Sequence, residues 1–294
     1  MTESDRRALV EYYKRGAMDS EVRTLAVGGF GGVPVSDVIV RHLEKKRHNW
    51  PLQKFSTTYK TIRDTNKIFF AKSDASVEFV EEGAAYTESA PKIHGHEMEL
   101  FKIGGLCLAT EELVQDSGID IEQLLGDSFG RSLSIKLEQM FIDGNGDKKP
   151  RGFLLDAQTV GAAGSTVAYG DLAKLFKALD ESMLPYAVWL VNRDTFALLS
   201  GLSDSSGNRC LIPDTTGETA GYIFGKPVYI TFLPSKKPIA LGDFSQYVTV
   251  EQPAFIRRLE EKFRDSGNVG FIYRQRINGR LSDSNSIFAL ELGA

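Results

Sequence analysis

Cysteine is almost missing from this 294-residue chain, with only Cys107 and Cys210 present. They lie about a hundred positions apart, outside any C-x-x-C spacing, which excludes a disulfide framework and any multi-cysteine zinc site. A reducing compartment is the default. Long apolar runs are lacking too: stretches such as Ala187 to Val191 fall far short of the roughly eighteen residues of a membrane span. The N-terminus, MTESDRRALVEYYKRGAMDSE, is charged every few residues and has no signal-peptide core. Nor is there an excess of basic charge, since 35 Lys plus Arg face 39 Asp plus Glu for a net of −4. Composition therefore argues against a dedicated nucleic-acid binder. What remains is 42% hydrophobic, 25% charged and 10% aromatic, an ordinary globular balance that rules out wholesale disorder or a fibrous repeat. The length suggests about two domains.

Catalytic and ligand-binding signatures are also missing. GGFGG at 28–32 lacks the third glycine of a dinucleotide fingerprint, where Pro34 stands, and no strand precedes it. Gly225-Lys226-Pro227 fails as a phosphate loop because Pro227 takes the Ser/Thr position and Ala220 the opening glycine. DGNGD at 143–147 copies the start of a calcium loop, yet Lys148 replaces the sixth-position glycine and Leu154 the twelfth-position glutamate. It reads as a helix stop and a polar turn. His94 and His96 lack a third ligand nearby and read as solvent-facing loop histidines; His42 and His48 sit at a charged helix end. No G-x-S-x-G elbow occurs. The adjacent pairs Glu81–Glu82 and Glu111–Glu112 do not share a helix face and read as solvated charge. No catalytic, cofactor-binding or metal-binding residue is expected, and the chain reads as a non-enzyme.

Elements emerge in a definite order. A charged helix is expected over residues 5–15, an extended arm over Ala26–Pro34, and a short helix over Ser36–Lys46. The pattern from Phe55 to Leu108 turns to β, with FSTTYKTI, KIFF, SVEFV, EMELFKI and LCL separated by polar turns. EEGAAYTESAPKIHGHE within it has almost no large apolar side chain, which suits the polar tip of a long two-stranded excursion. Such a hairpin lacks a core of its own and needs another chain to buttress it.

The strongest local signal is a helix from Asp120, a candidate N-cap with Gln123 three residues on, to Phe141, with Gly144 as its stop. Ile121, Leu124, Leu125, Phe129, Leu133, Leu137, Met140 and Phe141 follow helical spacing, giving a spine roughly 30 Å long. Leu172, Leu175, Phe176, Leu179 and Met183 mark a second helix behind a cap at Asp171. YAVWLV, the helix RDTFALLSGL, GYIFGKPVYI and KPIALGD then read as an α+β lobe. YVTVE, GFIYRQRING and SIFALEL are strand candidates that return beside the long helix, with the charged segment RRLEEKFRD between them.

Taken in order, EYYKRG, RTLAVGGFGGVPV, FVEEGAAYTES, ATEELVQDSGIDIEQLL, FIDGNGDKKPRGFL, WLVNRDTFALLSGLSDSSGNRCL, FGKPVYIT and ALGDFSQYVTVE resemble tailed-phage major capsid proteins of the Hong Kong 97 type over nearly the whole chain. The most specific phrase is carried by Phe141, Asp143, Gly144, Gly146, Pro150, Gly152 and Phe153. The resemblance implies an α+β capsid fold with four parts: an N-terminal arm with short helices (1–54), an extended two-stranded loop (55–106), a peripheral domain with the spine helix (107–165 plus 247–294) and an axial domain (166–246). It further implies pentamers and hexamers of the chain in an icosahedral virion shell around double-stranded DNA, held by non-specific contact. A scaffolding protein, a maturation protease and a portal are implied partners, with assembly in the host cytoplasm and no membrane. The basic stretch Arg41 to Arg47 is a candidate inward-facing contact.

Two departures from the family pattern shape the expectation. Relatives that weld subunits use a lysine on the loop, an asparagine on a neighbour and a peripheral glutamate. Here the lysine position falls at Ala85 or Tyr86 and the glutamate near Arg274, and only Asn268 is close; Lys72 or Lys92 would require a large misalignment. A noncovalent shell without isopeptide bonds is expected. Many relatives also carry a helical scaffolding segment ahead of the EYYKRG phrase, so either it was removed here or scaffolding comes from a separate protein. The alternatives are an encapsulin-like nanocompartment shell and, less favoured, an α+β enzyme with an unrecognised site.

Overall fold

The computed structural model describes residues 50–62, 65–73, 92–110, 121–203, 207–259 and 266–293, with the single positions Phe79, Glu112 and Phe263. The expected helices at 5–15 and 36–46, the basic stretch 41–47, His42 and His48, the SVEFV strand apart from Phe79, and the Asp120 cap lie outside the described residues.

Helix α1 (Pro51–Phe55) opens with Pro51, where a helix can spare an N–H. Strands β1 (Thr57–Lys60), β2 (Thr65–Ser73), β3 (Lys92–Glu99) and β4 (Phe101–Thr110) follow. Helix α2 covers Ile121–Asp143 and the single turn α3 covers Phe153–Asp156, leading to β5 (Gln158–Gly161). Then come α4 (Tyr169–Ala178), β6 (Val188–Val191), α5 (Arg193–Gly201), β7 (Gly221–Ile223), β8 (Lys226–Ile230) and β9 (Ile239–Gly242). The described chain closes with β10 (Tyr247–Glu251), β11 (Phe255–Leu259), β12 (Asn268–Leu281) and β13 (Ile287–Glu291).

Two large sheets result. The five-stranded sheet is built on β12, with β10 and β11 along one edge and β4 along the other, and β1 adds to β10 in parallel. The sequence of β12, NVGFIYRQRINGRL, explains its place: Val269, Phe271, Tyr273, Ile277 and Leu281 are buried on one face, while Arg274 and Arg276 are exposed on the other. The six-stranded sheet runs β5-β13-β9-β6-β8-β7. Its central strands VWLV and IALG are buried along their whole length, as strands covered on both faces must be.

Helix α2 joins the two sheets. Leu133, Leu137 and Phe141 share one core with Tyr247, Tyr273 and Ile277 of the five-stranded sheet and with Leu190, Ala240 and Ala289 of the six-stranded sheet. The opposite face of the six-stranded sheet packs against α4 and α5 through Leu172, Leu175, Leu199, Trp189 and Val191. The Trp189 indole N–H donates to the Ile223 carbonyl at 3.1 Å, so its burial leaves no polar atom unpaired.

Several strands find partners that local pattern does not reveal. SIFALEL becomes β13, which pairs with β9 and β5 in the six-stranded sheet and from there returns beside the long helix, Ile287 and Ala289 sharing its core. Part of the charged segment RRLEEKFRD is strand β11, with Ile256 buried against the α2 core. Among the described residues the two-stranded excursion is β2 and β3, because β1 and β4 at its flanks belong to the five-stranded sheet. His94 and His96 stand in β3, opposite Phe70 and Ile68, and not in a loop. Asp171 lies inside the first turn of α4, preceded by Ala168 at the cap position, and Met183 falls beyond the end of that helix. Leu124, expected on the inward stripe of α2, is 53% exposed.

Candidate assembly surface

The site begins with a buried acid. Ser134, Leu137, Glu138 and Phe141 occupy i, i+3, i+4 and i+7 of α2, so Glu138 sits in the apolar stripe and is fully buried. Its Oε1 accepts from the Leu52 N–H at 3.0 Å and the Thr231 hydroxyl at 2.8 Å. Its Oε2 accepts from the Gln53 N–H and Gln53 Nε2, both at 3.3 Å, and Gln53 Nε2 also donates to the Ser134 carbonyl at 2.7 Å. One carboxylate thus fastens three parts: the spine helix, α1 and the segment after β8. Burial pushes its pKa up, and the donors from Leu52, Thr231 and Gln53 pull against that shift without cancelling it. Gln53 Oε1 is buried beside it with no hydrogen-bond partner. Beyond this junction Trp50 packs on Phe232 with ring centroids 4.5 Å apart, and Phe55 meets Tyr229 edge-on at 5.0 Å.

Just beyond Glu138, at the C-terminal end of α2, the phrase FIDGNGDKKPRGF forms a tight turn. The Gly144 N–H donates to the Met140 carbonyl and the Gly152 N–H to the Gly144 carbonyl, each at 2.8 Å, while Asn145 bridges Arg151. A Cβ at Gly144 would stand 2.1 Å from the Pro150 carbonyl oxygen and 2.3 Å from that of Met140. Backbone is what it meets, so nothing can rotate away. Gly144→Ala is expected to cost about 3 kcal/mol or more, at or above the upper end for overpacked sites, and to be read as a large fall in thermal midpoint. A melting curve matching the native one would contradict this reading of the turn. Below it, the Arg151 Nε and Nη2 donate to the Asp156 carboxylate at 2.7–2.9 Å, and the Tyr247 hydroxyl donates to the Arg151 carbonyl at 2.9 Å.

The surfaces these junctions hold in place carry several exposed apolar side chains. The hairpin β2–β3 is joined to the body at its base, where Met98 and Leu100 pack on Val250 and Asn278 Nδ2 donates to the Glu99 carbonyl at 2.6 Å. Phe79, between its strands in sequence, is fully exposed. On the lobe of the six-stranded sheet Tyr186, Ile212 and Leu198 are 72%, 62% and 60% exposed. On the sheet face turned away from α2, Leu106 and Leu108 are each half exposed. Exposed apolar residues standing singly are ordinary on any protein surface.

Of the positions considered for covalent linkage, Asn268 and Arg274 lie in β12. Arg274 lies mid-strand in β12 between Gly104 of β4 and Phe255 of β11. Asn268 begins β12 opposite Thr110, its Nδ2 donating to the Ser266 carbonyl at 3.0 Å. Ser73 faces Lys92 across the hairpin, next to a register shift that contains Lys72, and Ala85 and Tyr86 lie outside the described residues. Among the described residues no group of three or more His, Cys, Asp or Glu side chains is placed to hold a metal, and no helix is long and apolar enough to cross a membrane.

Comparison with known proteins agrees with this architecture. The capsid of a native GTA particle, computed with C5 symmetry, is 22% identical with a TM-score of 0.66, over 95% of this chain and 100% of that one. The capsid of an empty GTA particle is 23% identical with a TM-score of 0.68, over 90% and 93%. A chain of Gordonia phage Cozz is 13% identical with a TM-score of 0.60, over 83% and 86%. At these identities the likeness is one of fold. No curated protein matches the sequence. The model of the phage capsid family, however, matches residues 32–292, and with nearly the whole chain inside it the protein belongs to that family.

Proposed function

We propose that the chain is the self-assembling structural subunit of an icosahedral shell of Hong Kong 97 type, without catalytic activity, in which its copies form pentamers and hexamers of a virion capsid. The observation that carries this reading is the set of surfaces left open on the single chain: the hairpin attached at its base, the exposed Phe79 and the apolar residues on both lobes. Copies of the same chain would cover them. The arm and hairpin lie across neighbouring subunits, the lobe built on residues 166–246 gathers around the symmetry axes, and the parts built on 107–165 and 247–294 meet between capsomers. Double-stranded DNA is the enclosed cargo, held without sequence-specific contact. A scaffolding protein, a maturation protease and a portal complete the assembly set.

The shell is noncovalent. Isopeptide formation needs an amine, an amide and a nearby acid to act together, and the strand position where an acid is expected carries the cation Arg274. Particles isolated by sedimentation should therefore run on a denaturing gel as one band at the mass of the single chain. A ladder of covalent oligomers would overturn the noncovalent reading, and failure to sediment as megadalton particles would count against the shell itself.

A further inference from the structure

Helix α1 is five residues long, and Trp50 at its cap position gives it no side-chain cap. So short a helix does not hold itself in water, and its seat has to come from elsewhere. Glu138 supplies the cap from α2, taking the Leu52 and Gln53 N–H groups that a helix start leaves without partners. The next element, β1, is the end strand of its sheet and pairs only with β10 among the described residues. Residues 50–60 therefore form an edge piece that can open while both sheets stay folded.

The Glu138 carboxyl at this edge is held by dipoles alone. Among the described residues no cation pairs with it. Lys54 of α1 is exposed, its ammonium 5.8 Å from the Phe55 and Tyr229 ring centroids, and residues 231–233 after β8 carry no titratable group. Arg131, Lys136 and Asp143 of α2 are exposed, and Asp156 of α3 is taken by Arg151. The Tyr247 hydroxyl of β10 donates to the Arg151 carbonyl and that of Tyr273 in β12 to Gln275 Oε1. Asp243, ahead of the turn 244–246 that packs on α1, accepts from the Ser245 N–H. Gln53 Oε1, buried at the same junction without a partner, is an acceptor on hand for a neutral acid.

We propose that Glu138 is a proton-operated latch on α1: neutral, it keeps the helix seated on the spine, and ionised, it lets residues 50–60 lift from the body. Opening brings the carboxyl into water, where its ordinary value near 4.3 returns. Burial holds the closed-state value above that, so opening releases a proton wherever the closed form carries one. The open fraction then grows about tenfold per pH unit until the closed form itself ionises, and levels off beyond. In the shell reading, the chain ahead of α1 is tethered more loosely above this transition than below it.

Hydrogen exchange of the 294-residue chain between roughly pH 5 and pH 9 tests the latch. Protection of the Leu52 and Gln53 amides, corrected for the chemical exchange rate, should fall about tenfold per pH unit and then level off. The paired core strands at Leu190 and Ala240 should keep theirs. Acrylamide quenching should rise over the same range through Trp50, which packs on Phe232, since the other tryptophan, Trp189, is fully buried. Glu138→Gln, neutral at every pH, should hold both readings flat. Thr231→Val removes a donor that favours the ionised form and should move the transition to higher pH. A flat native profile, an unchanged profile in Glu138→Gln, protection that rises with pH, or equal loss at Leu190 and Ala240 overturns the latch. If Glu138→Gln does not fold by circular dichroism, Thr231→Val decides, and an unmoved transition overturns it. These readings are made on the single chain, so failure to form shells leaves the latch standing and failure of the latch leaves the shell standing.

Discussion

Glu138→Ala is expected to lower the stability of the folded chain by about 3–5 kcal/mol, the scale of several buried donors left without an acceptor. The substitution strands the N–H groups of Leu52 and Gln53 and the hydroxyl of Thr231 in a dry interior, and it opens a cavity between α1 and α2. Each stranded polar group costs about 1–3 kcal/mol, and shared relaxation keeps the total below their sum. A thermal midpoint about 5–10 °C lower follows for a chain of this size. The effect is local in origin and wide in reach, because the carboxylate is where the spine helix holds both α1 and the end of β8.

The same residue sets a pH signature. Burial raises the folded-state pKa of Glu138, so its neutral form favours folding. That contribution is complete below the unfolded value of about 4.3 and is lost as the pH rises through the elevated folded value. Other carboxylates work in the opposite sense: Asp171 is buried, which pushes its pKa up, but Lys174 and the Ala168 and Ala163 N–H groups outweigh that and lower it. The Glu138 effect is therefore read as a difference between native chain and Glu138→Gln. Stability of the native chain relative to the variant should fall as pH rises above about 4.3. A flat or rising difference would contradict the assignment.

Replacing residues 74–91 by an Asn-Gly turn is expected to leave the chain folded and abolish shell assembly. The base of the hairpin keeps its own support, since Met98, Leu100 and Val250 and the Asn278–Glu99 bond are untouched. Asn-Gly is the preferred two-residue link between antiparallel strands, so β2 and β3 can close without the longer segment. The thermal midpoint should move by only a few degrees. Assembly behaves differently, because each copy loses a contact and each 1.4 kcal/mol lost per contact is about a factor of ten in association. Shells at native yield from the shortened chain would remove the hairpin from the assembly account.

The sequence reveals elements whose signal is local. The spine helix and its glycine stop, the helix of Leu172 and Leu175, and the strands of VWLV and YVTVE appear because periodicity and turn residues are enough to specify them. Strand partnership is a different matter. Nothing in SIFALEL says that Leu290 will face Ile239 in the second sheet, and nothing in RRLEEKFRD says that Ile256, just before it, draws its start into a strand opposite Tyr273. Pairing is decided by which edges remain open once the rest has folded. Glu138 could have been found: an acid in an i, i+3, i+4, i+7 row with Ser134, Leu137 and Phe141 is out of place on a solvated face. Its partners could not, because Leu52 and Thr231 lie far away in sequence.

The most direct test of the account is electron microscopy of the purified 294-residue chain under assembly conditions, with and without a scaffolding protein. Closed, hollow icosahedral particles built from pentamers and hexamers are the predicted result. A uniform population of monomers or dimers at high concentration, even with scaffold present, would contradict it.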